Sequence, residues 1–326
     1  MTPNGNFNDD SETFGMVGGD AKLQQICKTI RTAAPSNASV FIEGESGTGK
    51  QLIVAAIHAR SRRSSGPFIS VNCALPPELL DAKLFGKHGL MEAADSGTLL
   101  LDDIAEMPAY LQIKLFCVLR EHKLCRPDGE IDTDVSFRLV VTTNRNTTAL
   151  LQDGVLKKDL YFRISTIKIK VPALRERLDD IPLLARHFLE RFNTQYDKKV
   201  RRISQETLFR LLRYDWPGNV RELESVIERA VLFCSDNELL PEYLPEELQG
   251  KDLRAIPFVI PPLVAMEEIE REAILQTLAR TSGNVRRSAQ ILRYPRPTFY
   301  RKLKKFGIKV DRDGPGSHHL TAKGAE

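Results

Sequence analysis

Short apolar runs alternate with helical periods over the first half of the chain. The runs that predict strands lie at 40–42, 68–71, 98–101 and 137–141. Apolar residues at helical spacing occupy 50–60 and 109–121, between these runs. Strands that alternate with helices predict an α/β fold, a parallel sheet with helices on both faces.

The pattern changes after Pro172, where strand signals stop. Residues 176–246 show only helical periodicity, which predicts a helical subdomain over 173–246 after an α/β subdomain over 14–172. Gly250 and three prolines indicate a linker over 247–262, and a compact helical unit follows at 263–309. The polar ends, 1–13 and 310–326, predict disordered tails.

Composition excludes several protein classes. The 326 residues carry 47 Lys and Arg against 43 Asp and Glu, a net charge of +4, which is ordinary for a globular protein of two or three domains. We find no signal-peptide pattern and no apolar run of about 18 residues, so we expect a cytoplasmic protein without membrane contact. The 5 cysteines are scattered and odd in number, which indicates reduced thiols.

The basic residues concentrate near the C-terminus. Residues 283–310 contain many Lys and Arg and no Asp or Glu up to Val310, so they predict a surface that binds a polyanion. Two short predicted helices, 284–292 and 297–305, are joined by a turn, as in a helix-turn-helix unit. The alternative is a basic, solvated helix that only closes the domain.

A glycine-rich loop lies between the first predicted strand and helix. It fits the pattern G-x-x-x-x-G-K, in which backbone N–H groups and a helix N-terminus hold phosphates and the lysine reaches the outer phosphates of ATP. The candidate nucleotide ligands are Gly44, Glu45, Ser46, Gly47, Thr48, Gly49, Lys50 and Gln51. The alternative is a glycine-rich turn without a ligand.

Two acids follow the apolar run at 99–101. Asp102 is the candidate ligand of Mg²⁺, and Asp103 is the candidate group that polarises an attacking water. A buried strand that merely ends in acids is the alternative, and the glycine-rich loop makes it less attractive.

Seven motifs together resemble one family. They are GESGTGK at 44–50, PFISVNCA at 67–74, LLDAKLFG at 79–86, SGTLLLDDI at 96–104, VTTN at 141–144, VPALRERLDDIPLLARHFL at 171–189 and WPGNVREL at 216–223. Residues 14–245 resemble the AAA+ domain of bacterial enhancer-binding proteins, which activate sigma-54 RNA polymerase. The resemblance implies an AAA+ P-loop sheet, a helical lid and a ring-shaped oligomer.

The resemblance also implies roles for single residues. Asn72 is the implied switch that restrains the catalytic acid, Asn144 the first sensor, and Arg221 the second sensor, which reads the third phosphate of ATP. Arg163 stands where the family has an arginine finger that reaches the next subunit. Without the resemblance, Arg163 reads as a surface residue in an ion pair.

The stretch RPTFYRKLKKFGI resembles the Fis-type helix-turn-helix domain of the same family. This resemblance implies a dimer that binds a specific operator or enhancer in double-stranded DNA. The residues expected to face DNA are Arg296, Thr298, Tyr300, Arg301 and Lys302, with Thr298 and Arg301 nearest to base edges. Arg293 replaces a glycine that the family often has in the turn.

Several positions depart from the family pattern. The family inserts a loop containing GAFTGA, which touches the sigma factor, where this chain has only Lys87 and His88. Asp103 replaces a glutamate, Lys157 replaces the first finger arginine, and Gln51 replaces the glutamate after the loop lysine. Asp is shorter than Glu and Lys lacks a planar fork, so we expect ATP binding to survive better than hydrolysis.

Three functions therefore remain open. The leading one is a DNA-binding transcriptional regulator that binds ATP and has no N-terminal sensory domain. The second is a ring ATPase that remodels a target other than the sigma factor. The third is a pseudo-ATPase that antagonises an intact family member. Either sigma-54 RNA polymerase or that family member is the expected protein partner.

Overall fold

The structure is a computed structural model that describes residues 14–124, 133–249 and 270–308, the last range with gaps at 272, 276, 279–280 and 282. These residues belong to two compact units, divided between Ala255 and Ile256. The two predicted tails and residues 250–262 of the predicted linker lie outside the described residues.

The first unit is built on a parallel sheet of five strands in the order β2-β3-β6-β1-β7. Their bounds are β1 Val40–Glu43, β2 Phe68–Asn72, β3 Thr98–Asp102, β6 Arg138–Thr143 and β7 Ile167–Lys170, with a short antiparallel pair, β4 Lys123–Leu124 and β5 Thr133–Asp134, beside them. The α/β prediction is confirmed. The pattern analysis did not identify β7, whose alternating IKIK sequence lies at the sheet edge.

Helices cover both faces of this sheet. They are α1 Ala21–Ala33, α2 Lys50–Ala59, α3 Pro77–Phe85, α4 Leu90–Ala93, α5 Ala109–Glu121, α6 Thr147–Gln152 and α7 Lys158–Ile164. Successive strand residues point to opposite faces, so Leu99 and Leu101 join one apolar core while Leu100 joins the other. Both faces of β3 are therefore buried, which explains its unbroken apolar sequence.

The helical part of the first unit contains α8 Asp180–Tyr196, α9 Gln205–Arg213, α10 Asn219–Phe233 and α11 Glu246–Gln249. The prediction of helices alone was wrong in one detail. A small parallel ladder joins β8 Arg202–Ile203 to β9 Glu238–Leu239. Strands of two residues are too short to show a period of two, so the hydrophobic pattern could not reveal them.

The second unit is a cluster of short helices. Helical residues within 270–278 precede α12 Val285–Ile291 and α13 Arg296–Lys305. The buried core comprises Ile274, Leu278, Ala289, Phe299 and Leu303. The two predicted C-terminal helices are confirmed to within a residue or so, whereas residues 263–269 of the predicted helical unit lie outside the described residues.

Side chains and turns fix the ends of these helices. The side chain of Asn284 accepts a hydrogen bond of 3.0 Å from the N–H of Arg287 and so caps the start of α12. Arg293 has φ 53° in the turn before α13, so it adopts the left-handed conformation that glycine prefers.

Among the residues that the structure describes, none of the helices combines the length and hydrophobicity that crossing a bilayer requires.

Adjacent leucines on α3 test the assignment of the core. Leu80 is fully buried whereas the Leu79 side chain is 43% exposed. We predict that Leu80→Ala lowers the free energy of unfolding by about 2–5 kcal/mol, because it removes packing and leaves a cavity. The matched Leu79→Ala should cost about 0.5 kcal/mol or less. If urea unfolding showed equal losses of unfolding free energy for the two variants, this placement of α3 would be contradicted.

Candidate nucleotide site and DNA interface

The glycine-rich loop connects the carboxyl end of β1 to the amino end of α2. Gly47 and Gly49 have φ 76° and 96°, a left-handed conformation that L side chains rarely adopt. Gly49 directly precedes α2, whose first backbone N–H groups have no partner within the helix. A loop of this shape, leading into a helix N-terminus, can surround a phosphate with N–H donors.

The Lys50 ammonium lies inside this loop. It donates hydrogen bonds of 2.7 Å to the Gly44 carbonyl and 3.0 Å to the Glu45 carbonyl. Burial lowers the pKa of Lys50, and the nearby carboxylates of Asp103 and Asp102 partly oppose that shift. The ammonium therefore lies between the loop and the acids, where phosphate oxygens can replace the carbonyls as acceptors.

The two acids are positioned by the neighbouring strand β6. The Thr142 hydroxyl donates a hydrogen bond to the Asp102 carboxylate and accepts one of 3.2 Å from the backbone N–H of Asp103. Asp103 has φ 62°, so the chain turns sharply immediately after β3. One threonine thus fixes both acids at the carboxyl edge of the sheet.

Asn144 holds the Asp103 carboxylate from two sides. The Asn144 backbone N–H donates to Oδ1 at 2.9 Å, and its side-chain amide donates to Oδ2 at 2.7 Å. Asn72 lies beside Asp102 in the sheet register, but its side chain accepts a hydrogen bond of 2.8 Å from the backbone N–H of Ala74. The amide that contacts the candidate acid is thus that of Asn144.

Arg221 reaches the same loop from the helical part of the unit. Its guanidinium donates to the Ser46 hydroxyl at 3.3 Å, and its backbone N–H donates to the Gly47 carbonyl at 3.3 Å. The glycine-rich loop at residues 44–50, which we call the phosphate loop, therefore lies together with both acids, Asn144 and Arg221. Gln51 is exposed on the first turn of α2, and Thr48 is buried.

Arg163 and Lys157 lie elsewhere on the same chain. Arg163 is exposed, and its guanidinium donates to the Leu119 carbonyl at 2.7 Å beside a cavity of about 210 Å³. That cavity is lined by residues just before β1, β6 and β7, so it lies at the amino edge of the sheet, opposite the phosphate loop. Lys157 is exposed just before α7, where its backbone N–H donates to buried Gln112 at 2.9 Å.

Glu45 has partners that the sequence analysis missed. Its carboxylate accepts hydrogen bonds from Arg175 and from Asn219, at 3.1 Å for the latter. The hydrogen bonds from Arg175 lower the pKa of Glu45 to about 2. Arg175 and Asn219 lie 130 and 174 residues after Glu45 in the sequence, so no local spacing could have indicated them.

The helix α13 presents the candidate DNA interface of the second unit. Phe299 and Leu303 face the core, while Arg296 and Arg301 are exposed and Tyr300 is 50% exposed. Thr298 is half-buried. The exposed residues 300, 301 and 304 recur at helical spacing, so they share one face that carries Arg and Lys.

Lys302 was expected on the DNA face, but its ammonium forms an ion pair with Glu270. The Tyr294 hydroxyl also donates to Glu270, and hydrogen bonds from Lys302 and Tyr294 lower the pKa of that carboxyl. Position 302 is next to buried Leu303, at the border between the buried and exposed faces of α13. The structure therefore leaves Lys302 half-buried within its own unit.

Comparisons with known proteins agree with this arrangement. Residues 16–170 match the Sigma-54 interaction domain, residues 175–256 match the AAA+ ATPase lid domain, and residues 265–306 match the Fis family of bacterial regulatory proteins. The structure is also similar to NtrX from Brucella abortus in complex with ATP, with a TM-score of 0.69 and 33% identity, over 90% of this chain and 70% of that one.

Curated relatives give the same result. The chain is 39% identical to the regulatory protein AtoC of Escherichia coli K12 over 88% of this chain and 66% of the relative. It is 38% identical to the transcriptional regulatory protein ZraR of the same strain over 90% of this chain and 69% of the relative. The chain thus spans about two thirds of the length of these relatives. With its phosphate loop, lid and Fis-type helices in the expected order, it belongs to the sigma-54 enhancer-binding family of bacterial transcriptional regulators.

Proposed function

We propose that this chain regulates transcription by binding ATP in its first unit and specific double-stranded DNA through its second unit. The observation that carries this proposal is the convergence of the phosphate loop, Asp102, Asp103, Asn144 and Arg221 at one edge of the sheet. A basic helix-turn-helix unit in the same chain supports the DNA-binding half. Bacterial DNA lies in the cytoplasm, which is where we expect the protein to act.

The loop residues fit the phosphates of ATP. The N–H groups around left-handed Gly47 and Gly49, the start of α2 and the Lys50 ammonium together provide positive potential. Asp102 offers a carboxylate beside them, the type of ligand that Mg²⁺ takes together with phosphate oxygens and water. Bound Mg²⁺ neutralises phosphate charge. Arg221, next to Ser46, is placed to contact the third phosphate.

Asp103 is the proposed base that takes a proton from the attacking water. Both of its carboxylate oxygens accept hydrogen bonds from Asn144, so the carboxylate is held in one orientation. Asp is also one methylene shorter than the family's Glu, which leaves a longer gap to the water. These two features support slow hydrolysis of ATP that is bound.

A second copy of the chain completes the proposed site. Arg163 and Lys157 are exposed, and Arg163 is at the opposite edge of the sheet from its own phosphate loop. In a ring of AAA+ units, these cations can approach the loop of the neighbouring copy and compensate charge on the transferring phosphate. The C-terminal units are proposed to pair as dimers on DNA.

The connection between α3 and α4 departs from the family pattern at the position that would touch the sigma factor. The helices α3 and α4 are joined only by residues 86–89, where the Gly89 N–H donates to the Gly86 carbonyl at 2.9 Å. This tight turn stands where the resemblance implies the GAFTGA loop. It favours a second candidate, an antagonist that enters the rings of an intact family member. Unchanged turnover of that member after mixing would argue against this candidate.

The DNA half of the proposal is tested on sequences that the wild-type chain selects from a random pool. Arg301→Ala should lower affinity for the selected duplex about tenfold or more, because a bidentate contact to a base is worth about 1–3 kcal/mol. The double variant Glu270→Gln and Lys302→Met should stay within about twofold, since that pair is internal. Fluorescence anisotropy measures both. A pool without enriched sequences would refute specific binding.

The hydrolysis half is tested by restoring the family residue. Asp103→Glu should raise steady-state ATP turnover about tenfold, because the longer side chain reaches the water better. Asp153→Glu, on an exposed turn residue, is the matched control and should change nothing. Lys50→Ala gives the background. If Asp103→Glu turns over no faster than the wild type, side-chain length does not limit the reaction.

A further inference from the structure

Glu45 lies in the phosphate loop, yet its carboxylate is fully engaged with the helical part of the unit. Arg175 donates to both of its oxygens, with 2.8 Å from Nη1 to Oε2. The Asn219 amide donates to the same Oε2 at 3.1 Å. A paired guanidinium and carboxylate form a strong, directional contact, so Glu45 has little capacity left for a ligand.

Asn219 connects this contact to the rest of the lid. Its side chain is fully buried, and its carbonyl oxygen accepts a hydrogen bond of 2.8 Å from the Leu174 N–H. Its amide also donates to the Ser46 carbonyl at 3.0 Å. The residue has φ 55°, a strained conformation that the surrounding hydrogen bonds hold in place.

The start of α10 rests directly on the apex of the loop. The Gly47 carbonyl accepts hydrogen bonds from the N–H groups of Val220 at 3.0 Å and Arg221 at 3.3 Å. A Cβ atom on Gly47 would lie 2.1 Å from the Gly218 carbonyl oxygen. The contact is therefore too close for any side chain at position 47.

From these contacts we infer that Glu45 is a positioning residue, which fixes the start of α10 on the phosphate loop and so holds Arg221 ready for the third phosphate. We name the contacts among Glu45, Arg175, Asn219 and Gly47 the lid latch. The latch makes the chain prefer ATP over ADP. This inference rests on the proposed binding of ATP, and it assigns Glu45 a role other than phosphate contact.

Loss of the lid latch should affect ATP and ADP differently, because the latch positions Arg221. Loss of Glu45 frees α10 and moves Arg221, which costs ATP one contact that ADP does not make. A loop that was merely destabilised would lose affinity for both nucleotides alike. The ratio of the two affinities therefore separates a positioning role from a structural one.

The experiment compares Glu45→Gln with Glu224→Gln. Glu224 pairs with Arg191 between α10 and α8 and does not touch the phosphate loop, so it is a matched control for loss of a lid ion pair. Calorimetric titration with ATP and with ADP gives the affinities. Hydrogen exchange at the backbone N–H groups of Val220 and Arg221, without nucleotide, reports the latch itself.

We expect Glu45→Gln to lower the affinity for ATP about tenfold and the affinity for ADP less than about threefold. It should also speed hydrogen exchange at the backbone N–H groups of Val220 and Arg221 about tenfold. Glu224→Gln should change none of these. Arg175→Gln should match Glu45→Gln, and the double variant should be no worse than either, because all three break one contact. Equal weakening of ATP and ADP, or unchanged exchange, would overturn the inference.

Substitution of two glycines tests the inference independently, through a steric clash. Gly47→Ala should reproduce the faster exchange at the N–H groups of Val220 and Arg221 through its clash with Gly218. Gly154 has φ 69° and open space around its Cβ position, so Gly154→Ala carries the same backbone strain without the clash and should leave this exchange unchanged. If the wild type binds neither nucleotide, the proposed function fails, and the exchange data alone then decide whether the latch exists.

Discussion

Contact between the phosphate loop and the start of α10 is the constraint on which the first unit depends. The Gly47 carbonyl and two N–H groups of α10 meet directly, and the close approach excludes a side chain at position 47. Because this contact joins the α/β and helical parts, the lid is already seated on the loop. The residues that we propose to bind the nucleotide are therefore already assembled within one chain, apart from the proposed contributions of Lys157 and Arg163.

The parallel sheet adds a second constraint, because all of its strands end at the same edge. The phosphate loop follows β1, the acids end β3, and Asn144 follows β6. Thr142 then ties the two acids together, and Asn144 closes on Asp103. The position of the Asp103 carboxylate therefore depends on residues in and after β6, the neighbouring strand. A glutamate at position 103 would extend further than the aspartate does.

Contiguous motifs were predictable from the sequence, whereas contacts between distant segments were not. The glycine-rich loop and the apolar run before Asp102 can each be recognised within a few residues. The structure places the loop between β1 and α2 and the run on β3, as expected. The partners of Glu45 lie far along the chain, and only folding brings them together. The ion pair of Lys302 with Glu270 was not foreseen, because a count of charges does not show which face of α13 meets Glu270.

The exposed side chains of Lys157 and Arg163 support the proposal that one chain supplies a preformed nucleotide site which a second chain completes. The most direct test is steady-state ATP turnover over a series of protein concentrations, with Lys50→Ala as background. We predict slow turnover whose rate per chain rises with protein concentration and disappears in the variant. A rate per chain that stays constant from dilute to concentrated protein would contradict it.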